Sequence, residues 1–137
     1  MGMDVYAVNP VDEDHEYFRA NCWSWRPIHD FMSRTAGHLY SEDVDDGMSI
    51  NDGIGLTADE VEAVADSMEK VWAEISPHAD GLELESSCHV VSGTNKFATD
   101  KERDDPNIDT ESAYRVPMDR LKEWIEFVRY SGGFEVW

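Results

Sequence analysis

The chain has 137 residues and carries 30 Asp plus Glu against 11 Lys plus Arg, a formal net charge of -19. That balance excludes a surface built to hold a phosphate backbone, which works by replacing counterions with many Lys and Arg, and it sets the chain against anionic lipid. Apolar residues make up 41%, with five each of Trp, Tyr and Phe. That is enough to expect one compact domain over residues 1–137 with its own core rather than wholesale disorder.

Residues 3–8, Met-Asp-Val-Tyr-Ala-Val, alternate and are rich in β-formers, which predicts a short strand ending at Asn9-Pro10. Residues 12–16 read as an acidic linker, followed by a densely aromatic stretch with Tyr17, Phe18, Trp23 and Trp25. Pro27 suits a first helical turn, and Ile28, Phe31, Met32, Thr35 and Leu39 follow at helical spacing, predicting a helix over 27–39. Residues 41–55 hold turn formers and charge without periodicity and read as a loop. Thr57-Ala58-Asp59-Glu60 is a capping box, and Val61, Val64, Ala65, Met68, Val71, Trp72 and Ile75 then share one face of a helix ending near Ser76, before Pro77. Partial alternation over 82–91 supports one or two weak strands, and the polar residues 92–112 are expected to form a mobile excursion. Pro117 opens a third helix with Leu121, Trp124, Ile125 and Val128 inward; Ser131-Gly132-Gly133 stops it, and residues 134–137 alternate as a last strand. The expected architecture is α+β, about three helices on a small sheet that includes both chain ends.

Chemistry-bearing motifs are few. The histidines at 15, 29, 38, 78 and 89 lack the spacing of a zinc site, and Cys22 and Cys88 read as reduced, buried thiols of a cytoplasmic protein. No apolar run approaches the roughly 20 residues needed to cross a bilayer. Asp43-Val44-Asp45-Asp46-Gly47 misses the calcium-loop pattern, because with Gly47 as its sixth position Val44 falls third and Gly53 twelfth. Asn51-Asp52-Gly53-Ile54-Gly55 has no Lys and no third glycine at nucleotide-loop spacing, so it reads as a bent approach to the Thr57 cap. No G-x-S-x-G or cysteine-nucleophile signature appears, so no catalytic residue, metal or cofactor is nominated.

Two groups of residues remain. The acidic patches Asp12, Glu13, Asp14, Glu16; Glu42, Asp43, Asp45, Asp46; and Asp59, Glu62, Asp66, Glu69 could present phosphate-like charge to a partner. The second group, Arg19, Trp23, Trp25 and Arg26, reads first as core aromatics with Arg paired to carboxylates. Its other reading is a small-ligand pocket, or an enzyme built on it, that stacks a nucleotide base and grips its phosphate.

The blocks Met3-Asp4-Val5-Tyr6 with Asn9-Pro10, Glu16-Tyr17-Phe18-Arg19 with Asn21, Trp23 and Trp25-Arg26-Pro27, Asn51-Asp52-Gly53 with Gly55-Leu56, and Ser131-Gly132-Gly133-Phe134-Glu135 cover about half the chain. In their order they resemble a family of small phage- and prophage-encoded proteins. The resemblance implies a phage-like origin and a shared fold, with no activity attached. Many members have a cysteine-rich, zinc-ribbon-like insert between the second and last helices; here that region has only Cys88, so no zinc site is transferred. The expected function is that of an acidic, nucleic-acid-mimicking inhibitor of the anti-restriction or anti-CRISPR kind. It would bind a basic host protein, such as a nucleic-acid-binding defence complex, without touching nucleic acid or membrane itself. The alternatives are the nucleotide-sequestering pocket and a halophilic surface whose acidity serves solvation alone.

Overall fold

Alternation at the N-terminus produces β1 (Gly2–Ala7), with Met3 and Val5 turned inward. The computed structural model describes residues 2–50, 52–84 and 114–137. A 3₁₀ turn (Glu13–His15) leads into β2 (Tyr17–Asn21), whose Phe18 and Ala20 are buried while Tyr17, Arg19 and Asn21 face out. β2 was not among the expected strands; its alternation runs directly into a helix with no turn between them. β5 (Phe134–Val136) completes a three-stranded antiparallel sheet in the order β2-β1-β5, so the strands nearest the two chain ends are neighbours, as expected.

Two sequence expectations need correction. The first helix, α1, spans Cys22–Ala36 rather than starting at Pro27, because Asn21 caps it by accepting the Ser24 amide at 2.9 Å; Gly37–Leu39 continues as a 3₁₀ turn. Residues expected as loop include a helix, α2 (Glu42–Met48), capped by Ser41 and carrying Glu42, Asp43 and Asp45 in its first turn, where the helix dipole favours negative charge. Gly47, inside α2, is required by packing: a Cβ there would stand 2.8 Å from the Ile54 side chain.

α3 (Ala58–Ile75) follows the Thr57 capping box as expected, with the Thr57 amide donating to Glu60 at 2.9 Å. A second sheet pairs β3 (Gly81–Leu84) with β4 (Tyr114–Pro117), antiparallel. α4 (Met118–Tyr130) begins after Pro117 and ends at Ser131, where Gly132 and Gly133 take positive φ values of 66° and 105°. The 92–112 excursion, Val90, Val91 and Cys88 lie outside the described residues, as does the side chain of Cys22.

The fold is thus α+β, with α1 and α4 packed on the inner face of the β2-β1-β5 sheet and α3 packed against both of those helices. Its centre is aromatic. Trp124 meets Trp25 edge-on (5.1 Å between ring centres), Phe18 (5.0 Å) and Phe134 (5.2 Å), and stacks with Phe127 (5.6 Å). Each of these rings is buried. One helix, one strand or one chain end thus supplies each side of a single cluster, which ties β1's two neighbours to α1 and α4. No helix among the described residues is long and apolar enough to cross a membrane.

Candidate partner-binding surface

The acidic residues singled out above fall on three elements, and the fold treats them differently. Around the 3₁₀ turn, Glu13, Asp14 and Glu16 are exposed, whereas Asp12 is held by His15 Nδ1 at 2.5 Å. His15 in turn lies on the Tyr130 ring, 4.9 Å between centres, and so seats the turn against α4. Beside the turn is a groove of about 280 Å³ lined by Asp14, His15, Tyr17, Phe18, Arg120, Glu123, Glu126 and Phe127. Glu123 and Glu126 extend the acidic surface and were not singled out from sequence. Their spacing of three on the polar side of α4 was the available signal.

On α2, Glu42, Asp43 and Asp46 are exposed, but Asp45 is half-buried and structural. It accepts from the Ser33 hydroxyl at 2.5 Å and the Tyr40 phenol at 3.0 Å, and His29 Nε2 stands 3.4 Å away. His29 Nε2 lies 2.9 Å from the Asp45 backbone carbonyl, so that nitrogen bears the proton. Burial and then the Asp45 charge push the Tyr40 phenol up. Asp45 therefore latches α2 onto α1. On α3 the first turns leave Asp59 and Glu62 exposed, while Asp66 and Glu69 turn toward α4. There Arg129 binds both, at 2.6 Å and 2.5 Å, and Lys122 binds Glu69 at 2.7 Å. Hydrogen bonding from Lys122, with Arg129 adding its charge, holds the Glu69 carboxyl below its usual range.

Five cations among the described residues follow one rule. Arg19 faces Asp4 at 3.5 Å, Arg34 binds Asp30 at 2.8 Å, Arg120 binds Glu123, and Lys122 and Arg129 close the α3–α4 clamp. Burial pushes the Asp30 carboxyl up, offset in part by Arg34. These five positive charges are therefore directed at the protein's own carboxylates, whereas Lys70 on α3 is exposed. Glu13, Asp14, Glu16, Glu42, Asp43, Asp46, Asp59 and Glu62 remain turned to solvent and without a cationic partner among the described residues.

The Trp/Arg group does not assemble into one pocket. Trp25 is 2% exposed, and its Nε1 donates to the Met48 carbonyl at 2.9 Å, joining α1 to the end of α2; Trp23 is 48% exposed. Arg19 lies on the outer face of β2 beside Asp4. Among the described residues, Trp25 and Arg26 share a cavity, a cleft of about 480 Å³ between α1 and α2 with His29, Asp30, Ser33, Asp45, Ser49 and Ile50. A ring packed this deeply offers no open face to a base. In the cleft the carboxylate of Asp45 touches both Ser33 and His29, which is not the hydroxyl-to-imidazole order that activates a nucleophile. Among the described residues, no three His, Cys, Asp or Glu side chains gather in a metal-holding group.

Comparison with known proteins adds no relative: no family model, no curated protein and no solved structure matches the chain.

Proposed function

We propose that this chain is an acidic binding protein, phage-encoded and acting in the host cytoplasm, that occupies a basic, nucleic-acid-binding surface of a host defence protein. The observation that supports this reading is the division of charge just described. Arg19, Arg34, Arg120, Lys122 and Arg129 are held against internal carboxylates, so the surface around Glu13, Asp14, Glu16, Glu42, Asp43, Asp46, Asp59 and Glu62 meets solvent as uncompensated negative charge. A surface of that kind attracts a Lys- and Arg-rich partner over a Debye length and competes with the nucleic acid that the partner ordinarily holds.

The test is capture from a lysate of the native host with the tagged chain. The expected result is a basic nucleic-acid-binding protein that DNA displaces and about 0.5 M salt releases. Neutralising Glu13, Asp14 and Glu16 together with Glu42, Asp43 and Asp46 as amides is expected to abolish capture while the fold persists. Capture that survives both high salt and neutralisation overturns the reading, as does a variant that still protects the phage.

A further inference from the structure

Antiparallel sheets with one face on the core ordinarily turn small polar and charged side chains to water on the other. The outer face of β2-β1-β5 departs from that pattern. Its register sets Tyr17, Tyr6 and Glu135 in one row across the three strands. A second row holds Arg19, Asp4 and Trp137, the last joined to Asp4 by backbone hydrogen bonds of 2.8 Å and 2.7 Å. The Tyr6 and Tyr17 rings are 5.2 Å apart, and Tyr6, Tyr17 and Trp137 are 49%, 44% and 49% exposed. These side chains hold each other in place. Tyr17 donates its hydroxyl to Asp4, Arg19 leans on the same carboxylate, and Trp137 Nε1 donates to Glu135 at 3.3 Å. Beneath Trp137 lies Gly53, with φ of 83°, where a Cβ would stand 2.6 Å from the indole. The loop is therefore shaped to seat that ring.

We propose that this aromatic sheet face is the docking surface for arginine side chains of the basic partner. The inference rests on the proposed function for the sign of the partner's charge and adds where and how the contact is made. Exposed Tyr and Trp faces attract a planar guanidinium through the ring quadrupole and by stacking, more than they attract a compact, strongly hydrated ammonium. Asp4 neutralises Arg19, so the face opposes no incoming cation, and Glu135 stands beside Tyr6 to pair with one. The molecule already uses the same combination elsewhere: the Arg120 guanidinium lies 4.0 Å over the Phe18 ring while binding Glu123. A second copy of this chain is a poor occupant. It brings another net charge of -19, and a three-stranded face of this size presents only a few hundred Å², against about 800 Å² per partner in stable complexes.

The test is calorimetric titration of the intact protein with a nona-arginine and a nona-lysine peptide at low salt. The arginine peptide is expected to bind about fivefold to tenfold more tightly and to shift the tryptophan emission. Tyr6→Ala with Tyr17→Ala is expected to erase the preference while leaving nona-lysine affinity unchanged, and Trp137→Ala alone to reduce it. Tyr6→Phe with Tyr17→Phe should retain most of it. Equal affinity for the two peptides in the wild type, or a preference that survives every alanine variant, overturns the inference and leaves the acidic-surface reading standing. Failure of both peptides to bind sinks both. A dimer in sedimentation that Trp137→Ala dissolves assigns the face to a second copy and likewise overturns the inference.

Discussion

At Trp124 the indole is fully buried among Phe18, Trp25, Phe127 and Phe134, yet its N–H has no acceptor among the described residues. A buried donor left unpaired costs about 1–3 kcal/mol, so the ring is retained because its packing outweighs that cost. Trp124→Ala is expected to destabilise the domain by about 3–5 kcal/mol in urea unfolding. Trp124→Phe should cost less than half as much, because it gives up part of the packing but also removes the orphan donor. Equal costs for the two variants would show that the N–H is satisfied after all. Residue-scale geometry also explains why the Trp/Arg stretch was ambiguous in sequence. Core and pocket favour the same aromatic side chains, and the choice depends on where the helix begins. Once Asn21 caps α1, Trp23 and Trp25 lie about 200° apart on it, so one enters the core and the other faces water.

Among elements, α3 and α4 are joined by a clamp in which Arg129 bridges Asp66 and Glu69 while Lys122 binds Glu69 and lies 5.0 Å over the Trp72 ring. Trp72 also donates to the Met118 carbonyl at 3.0 Å, anchoring the start of α4. Because Glu69 titrates below its usual range when folded, the unfolded chain binds the proton more readily. The clamp's stabilisation is therefore full above the ordinary carboxylate range and is lost as pH falls through the folded value. Glu69→Gln is expected to cost at most about 1 kcal/mol at neutral pH, since the carboxylate is open to water. Its deficit against the wild type should shrink in acid, as read from thermal melts across pH. A deficit that stays constant with pH would mean that the charge of Glu69 does not contribute. Long elements with caps were legible: the Thr57 box, Pro117 and the Ser131-Gly132-Gly133 stop each carried a local signal. α2 and β2 were not: a helix of seven residues barely completes two turns, and β2 runs into α1 with no turn between them, so its alternation merges with the aromatic run that follows. Ser41 ahead of Glu42 and Asp43 was the one readable cue for α2.

For the molecule as a whole, the charge of -19 opposes compaction through self-repulsion. The melting temperature is expected to rise by several degrees between about 0.01 M and 0.3 M salt as screening shortens the Debye length. A chain that folds only in molar salt would instead support the solvation account of its acidity. Sequence alone determined the α+β class, the strands at both ends, the long capped helix and the sign of the surface, because these depend on local periodicity, caps and summed charge. Only the tertiary structure decided which charges are available. Carboxylates identical in sequence became latch, clamp or open surface according to which distant side chains the packing brought within about 3 Å of them. It likewise decided that Tyr6, Tyr17 and Trp137 share one exposed face, since strand register joins residues far apart along the chain.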